Sequence, residues 1–330
     1  MILNMTITGT SSTKSIMIIS IDSGSTVAIY SDAACTTLVK NAVEKNEGEF
    51  WVMDLNNGTY YIKATKNTNE RIISYTIVEY GVYRITMSYD TRPLFTYTGN
   101  YELVNDSNID ISDEVEWRGN WKLRLLTSGT LNFSRIYNDE IDVFLVGGGG
   151  AGYDPGTNGN GGGGGGGYTK TVTKTATIGT DYTITIGAGG TTAESGGNAG
   201  GKTTAFGETA NGGKAGTSSK GGAGGSGGGT PQTGNGGSDG ANGGNSGGTG
   251  QGTTTREFGE ANATLYSGGG GAGGNSGGTG GSGGGGRGAS ESVTSVAGTA
   301  NKGGGGGGGH AAKNSSAGGR GIVIIRNARS

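Results

Sequence analysis

Gly277-Gly-Thr-Gly-Gly-Ser-Gly-Gly-Gly-Gly286, like Gly221-Gly-Ala-Gly-Gly-Ser-Gly-Gly-Gly229 before it, is built from glycine and a few small residues. Both belong to a glycine-dominated stretch from Gly147 to Gly321; only eight of the chain's 78 glycines precede it (Gly9, Gly24, Gly48, Gly58, Gly81, Gly99, Gly119, Gly129). Glycine loses the most backbone entropy on ordering and brings no side chain to bury, so a flexible linker or disordered tail is one reading. Two features oppose it. Apolar alternating segments return at intervals, at Tyr168 to Val172, Tyr182 to Ile186 and Leu265-Tyr266. The stretch also closes in Gly321-Ile-Val-Ile-Ile325, which has the continuous apolarity of a buried strand.

An ordered alternative exists. The extended left-handed helix with three residues per turn makes no internal hydrogen bonds, so its N–H and C=O groups point outward. Neighbouring helices without side chains approach closely enough to bond those groups to one another. Such a polyglycine-II bundle needs glycine at inward positions and small polar residues outward, and both quoted segments fit. Collagen is excluded, because there is no strict Gly-X-Y register and the chain has three prolines. The ordered bundle is the favoured expectation. Gly243-Gly-Asn-Ser-Gly-Gly-Thr-Gly250 recurs identically as Gly273 to Gly280, and repetition of this kind favours stacked equivalent units.

Apolar residues make up 31% of the 330 and concentrate before Gly147. Residues 1–92 are expected to form an immunoglobulin-like β-sandwich acting as a spacer or attachment domain. Short runs at Ile16–Ile21, Thr26–Tyr30, Glu49–Met53, Tyr60–Thr65, Ile72–Val78 and Val82–Tyr89 are separated by turn residues such as Asp22-Ser-Gly24 and Asn56-Asn57-Gly58. Asn57-Gly-Thr-Tyr-Tyr-Ile-Lys-Ala64 resembles the penultimate strands of immunoglobulin-like modules, with Tyr60, Ile62 and Ala64 inward and Tyr61 and Lys63 outward. Pro93 marks the expected boundary. The glycine-rich domain then spans 93–330: a β-scaffold over 93–146, carrying Trp117, Trp121-Lys-Leu-Arg-Leu125 and Ile141-Asp-Val-Phe-Leu-Val146, and a bundle with returning strands over 147–330.

Catalytic chemistry is not evident. The net charge of −2, with 15% charged residues, leaves no electrostatic footprint for nucleic acid or an anionic membrane. No run is long enough to span a bilayer, and Met1-Ile-Leu-Asn-Met5 lacks the features of a secretory signal. The single Cys35 rules out an internal disulfide framework and reads as a small apolar residue in or near a strand. Gly196-Gly-Asn-Ala-Gly-Gly-Lys202-Thr203 formally matches a phosphate-binding loop but lacks the helix that makes such a loop work. His310, the only histidine, supplies neither a zinc site nor a triad. Asp139 with Glu140, and Asp113 with Glu114 and Glu116, read as solvated charge. No enzyme, cofactor or metal is expected.

Ile141-Asp-Val-Phe-Leu-Val-Gly-Gly-Gly-Gly150, Gly161 to Gly167 closing in Tyr168-Thr-Lys-Thr171, Ala205-Phe-Gly-Glu-Thr-Ala-Asn-Gly-Gly213, Thr253-Thr-Thr-Arg-Glu-Phe-Gly-Glu260 with Leu265-Tyr-Ser-Gly-Gly-Gly-Gly271, and Gly321-Ile-Val-Ile-Ile-Arg-Asn327 occur in that order. This succession resembles the glycine-rich domain of tail proteins of phages and prophages of gut Gram-positive bacteria. It is also similar to the tail-fibre-tip adhesins of T-even-like phages, which stack polyglycine-II helices and present variable loops to a host receptor. Those adhesins lack the leading β-module and these strand blocks, so their loop positions are not carried over.

The resemblance implies a virion tail protein made in the host cytoplasm, a receptor-binding adhesin that recognises a host-cell-surface glycan or protein. It would join other tail or baseplate proteins through its N-terminal domain, with self-association left open. A structural bacterial surface or matrix protein is the alternative from another class. An ice-binding bundle is a third, set back because flat arrays of regularly spaced threonine are not evident. Recognition is expected where larger side chains interrupt the glycine: Tyr153-Asp-Pro-Gly-Thr-Asn158, Thr230-Pro-Gln-Thr233, Ser290-Glu-Ser-Val-Thr-Ser-Val296 and His310-Ala-Ala-Lys-Asn314. Tyr153 and His310 suit stacking on a sugar ring, while Asp154, Asn158, Gln232, Glu291, Lys313 and Asn314 suit hydrogen bonding. The competing reading is that these are only turns reversing the chain.

Overall fold

In the first unit, alternation along each strand sends every second residue into a shared core. The structure, a computed structural model, describes residues 14–66, 69–87, 92–113, 117, 119–232, 234–245, 247–311 and 313–328. Residues up to Pro93, with Trp117 and Arg135–Tyr137, group into one compact unit; the rest of the chain forms the second.

The first unit contains β1 (Ser15–Ser20), β2 (Thr26–Tyr30), β3 (Leu38–Asn41), β4 (Val43–Asn46), β5 (Glu49–Leu55), β6 (Gly58–Lys66), β7 (Asn69–Ile77) and β8 (Val82–Thr86). They form two four-stranded sheets, β4-β5-β1-β8 and β3-β2-β6-β7. Pairing is antiparallel except between β1 and β8. Met17, Ile19, Phe50, Val52 and Ile85 of one sheet share a core with Val27, Ile29, Tyr60, Ile62, Ala64 and Ile77 of the other. The inward set on β6 is the expected one, with Tyr61 and Lys63 only half-buried. Gly24 and Gly58 take the positive φ that the separating turns require (76° and 153°). Cys35 lies near strands, in the turn between β2 and β3, at φ 51°. The expected strand from Val82 ends at Thr86, and its last two residues, 88 and 89, lie outside the described residues.

The second unit begins with β9 (Leu94–Tyr97), β10 (Tyr101–Val104), β11 (Lys122–Leu125), β12 (Gly129–Arg135) and β13 (Glu140–Val146). β14 (Thr169–Thr175), β15 (Asp181–Ile184), β16 (Thr192–Ala193), β17 (Gly196–Gly197), β18 (Thr203–Ala205), β19 (Glu208–Ala210) and β20 (Ile322–Asn327) follow, all separated by glycine or turns. A five-stranded sheet runs β10-β11-β20-β13-β14, and β15-β12-β9 form a separate three-stranded sheet. β13 and β20 read as nearly continuous apolar runs, broken in β13 by Asp142, because both faces are covered: Phe144, Val146, Ile322 and Ile324 pack with Tyr266 and Phe258 on one face, and Ile141, Val143, Leu145, Val323 and Ile325 are buried as well. The fold is all-β, with a single 3-10 turn at Glu257–Gly259 among the described residues.

Between the strands, glycine runs shuttle from the sheet to a far level and back. Gly161 to Gly167 shows the rule that organises them. Its N–H groups donate in three directions with a three-residue period: Gly161, Gly164 and Gly167 to Gly309, Gly306 and Gly303; Gly162 and Gly165 to Thr217 and Lys214; Gly163 and Gly166 to Gly229 and Ser226, all at 2.8–3.1 Å. Its carbonyls accept in three more directions, from Gly273 and Gly270, from Tyr153 and Gly150, and from Gly222 and Gly225. This run is therefore enclosed by six others, and a Cβ on any of its seven glycines would lie 1.9–2.3 Å from a neighbouring carbonyl oxygen. Backbone pairing replaces an oily core here, each bond contributing about 1 kcal/mol net. Outer runs keep side chains on one row: Asn211, Lys214 and Thr217 are exposed at every third position while Gly213 and Gly216 are buried.

Candidate functional site at the far end of the glycine runs

Two levels of hydrogen bonds fix the ends of the runs. At the strand end, Gly167 donates to Gly303 and Ser267 to Lys302, both at 2.8 Å, and Gly321 donates to Gly187 at 2.9 Å. At the far end, Gly161 donates to Gly309, Gly273 to Gly161 and Gln232 to Gly273, each at 2.8 Å, while Gly274 donates to Ala289 at 3.0 Å. All four interruptions expected from the sequence thus turn at the far level. Further reversals share it: Thr217–Lys220, closed by a 2.8 Å bond from the Thr217 N–H to the Lys220 carbonyl, and the β16–β17 hairpin, joined to the 153–160 loop by Asp154 N–H to Gly196 carbonyl at 3.1 Å. The repeated octapeptide serves the same purpose twice. Gly247 donates to Gly244 and Gly277 to Gly274, so each copy makes a far-end reversal.

The expected site residues differ in what they leave free. The His310 ring Nδ1 lies 2.5 Å from the Asn160 Oδ1 and donates to it in the tautomer that protonates Nδ1. Lys313 Nζ donates to the Glu291 carbonyl, and Ser295 Oγ donates to the Asn314 carbonyl at 2.7 Å. The 153–160, 290–296 and 310–314 segments are therefore stitched together. Gln232 joins through its backbone bond to Gly273 and is exposed at φ 98°. Asn158, Glu291 and Asn314 are exposed, while Tyr153, His310 and Lys313 are half-buried. Asp154 is buried, and its carboxylate accepts the Gly156 N–H at 2.9 Å. That bond shapes the residue's own loop. Thr233 and Ala312 lie outside the described residues, as do Glu114 and Glu116. Sequence reasoning missed Asn160 and Thr217, whose signal is a short interruption flanked by glycines on both sides, and it did not single out Ser295 within the 290–296 turn.

The formal phosphate-loop match runs from β17 through an irregular segment to the first residue of β18, with no helix after it. Lys202 leads into β18, where the buried Thr203 Oγ1 donates to the Val146 carbonyl at 2.7 Å and accepts the Gly187 N–H at 3.0 Å. Among the described residues no cluster of His, Cys, Asp or Glu is arranged to hold a metal ion.

A second constellation sits at the strand end. A cleft of about 680 Å³ is lined by Asp106, Asn108, Lys122, Glu257, Glu260 and Arg326, among others. Lys122 and Glu257 are both buried and pair at 3.0 Å. The Tyr266 hydroxyl donates to the other Glu257 oxygen at 3.0 Å. Burial first, and then the Glu257 charge, push that hydroxyl well above its ordinary range. Arg326 bridges Asp142 and Glu260 at 3.1 and 2.6 Å and lies 4.0 Å from the centroid of the Phe258 ring.

Residues 126–328 match the family described as a glycine-rich domain, which covers more than half of the chain. The chain belongs to the glycine-rich domain family. The β13, β14 and β20 strands and the glycine runs they anchor all fall inside this glycine-rich domain, as do both constellations apart from Asp106, Asn108 and Lys122. No curated protein matches the chain significantly. Among solved structures, the major pilin subunit of Bacillus cereus is similar at 10% identity, over 41% of this chain and 42% of that one, with a TM-score of 0.22. The likeness spans less than half of the pilin and carries no argument about fold or function.

Proposed function

We propose that the protein is a non-enzymatic receptor-binding component of a phage tail tip or fibre, which recognises a host-cell-surface glycan or protein through its far-end turns. On this reading the runs between Gly147 and Gly321 are polyglycine-II helices packed as a bundle. Residues up to 92 are an immunoglobulin-like sandwich that attaches the bundle to other tail or baseplate proteins, and the site of action is the virion. The three-residue hydrogen-bond period of Gly161 to Gly167, with six neighbouring runs, supports the bundle. The observation that carries the functional reading is the sorting of chemistry. Interior positions are glycine or, as at Ala151, Ser226, Ala272 and Ala289, the smallest side chains, and the varied side chains Tyr153, Asn158, Gln232, Glu291, His310, Lys313 and Asn314 sit on turns at one end. A frame held by backbone bonds tolerates exchange of such turns, which suits recognition that must change while its support does not.

The test is adsorption of the purified full chain to a panel of gut Gram-positive cells. Saturable binding to some strains is expected, lost when the turns 153–158, 230–233, 290–296 and 310–314 are replaced by serine and kept when exposed residues of the first unit are replaced. Undiminished binding by the serine-turn variant overturns the site, and absence of saturable binding to every strain favours a structural surface protein.

A further inference from the structure

Three groups of complementary chemistry converge where β11 meets the excursion after Thr253. Lys122 Nζ donates to the Asn108 side-chain carbonyl at 3.0 Å and to Glu257 Oε1 at 3.0 Å. Lys122 and Glu257 are buried, whereas Asn108 lies on the exposed loop after β10, at φ 59°. An amine touching both a carboxamide and a buried carboxylate is a nucleophile with an acyl group and a proton carrier each one hydrogen bond away from it. The geometry points to a covalent amide between Lys122 Nζ and Asn108 Cγ, formed by the folded chain on itself.

The step balances without a co-reactant. The Glu257 carboxylate takes a proton from the Lys122 ammonium, and the freed lone pair attacks Asn108 Cγ, one bond beyond the oxygen it already contacts. The new C–N bond forms as the bond from Cγ to the amide nitrogen breaks. The lysine nitrogen gives up two protons in all; both pass through Glu257 to the departing nitrogen, which leaves as ammonium. Glu257 ends as it began, and the new amide N–H is left beside its Oε1. The Tyr266 hydroxyl, hydrogen-bonded to Glu257 Oε2, holds the carboxylate in position throughout. The result is a closed ring between the loop after β10 and the sheet, at the wall of the strand-end cleft.

Intact mass of the purified full-length chain, measured under denaturing conditions, tests the assignment. The expected mass is short of the sequence by one ammonia, and proteolysis should release one branched peptide joining Asn108 to Lys122. Asn108→Ala, on an exposed loop, should fold and show its full sequence mass; Glu257→Gln should lose the branched peptide. Full sequence mass in the unsubstituted chain overturns the proposal. An ammonia loss that maps to any other asparagine overturns it equally, and a branched peptide persisting undiminished in Glu257→Gln removes Glu257 from the reaction.

Discussion

A methyl group on Gly164 would stand 2.1 Å from the Gly150 carbonyl oxygen, and a methyl group on Gly163 would stand 2.0 Å from that of Gly270. Real Cβ atoms do not approach so closely, so the runs must separate and their shared bonds lengthen. Gly164→Ala is expected to destabilise the second unit by about 3 kcal/mol or more, at the upper end of overpacking costs. Lys214→Ala, on an exposed outward row, should stay within about 0.5 kcal/mol; denaturant unfolding of the two variants compares them directly. A different residue-scale effect depends on pH. Lys170 and Lys174 reach the Glu208 carboxylate at 2.6 and 2.5 Å and hold its pKa at about 2, down from 4.5. A depressed carboxylate stabilises the fold above pH 4.5, and that contribution is lost as pH falls from 4.5 toward 2. The acid limb of thermal stability against pH should therefore be shallower in Glu208→Gln, and identical limbs would show that the pair contributes nothing.

At the scale of elements, legibility followed burial. The Ile141–Val146 and Ile322–Ile325 runs stood out because strands covered on both faces are apolar on both, Asp142 excepted, and β6 stood out through its alternation. β3 and β4 were missed because all their residues are exposed, which leaves no apolar period to read. The octapeptide repeat was visible as a repeat, but only the hydrogen bonds show that it makes a turn each time. Lys122 and Glu257 gave no signal at all: 135 residues separate them, and each lies in an unremarkable local context. The three-residue period also makes an element-scale prediction. One glycine inserted within Gly303 to Gly309 shifts the three acceptors used by Gly161, Gly164 and Gly167. The expected loss is on the order of 3 kcal/mol, since each bond contributes about 1 kcal/mol net. The same insertion in the turn between Ser290 and Val296 should leave thermal unfolding nearly unchanged.

At the scale of the whole molecule, the first unit is held by an apolar core and the second by a sheet that anchors a mesh of backbone bonds. The far-end turns are then side chains on a frame with almost none of its own inside. On the proposed reading, recognition is rewritten at the turns without refolding the protein. Amide hydrogen exchange of the full chain measures the frame directly. The amides of Gly161 to Gly167, enclosed by six runs, should exchange as slowly as those of β13 and β20, and those of the 153–160 and 290–296 turns much faster. Fast exchange throughout Gly161 to Gly167, with protection confined to the strands, would contradict an ordered glycine frame.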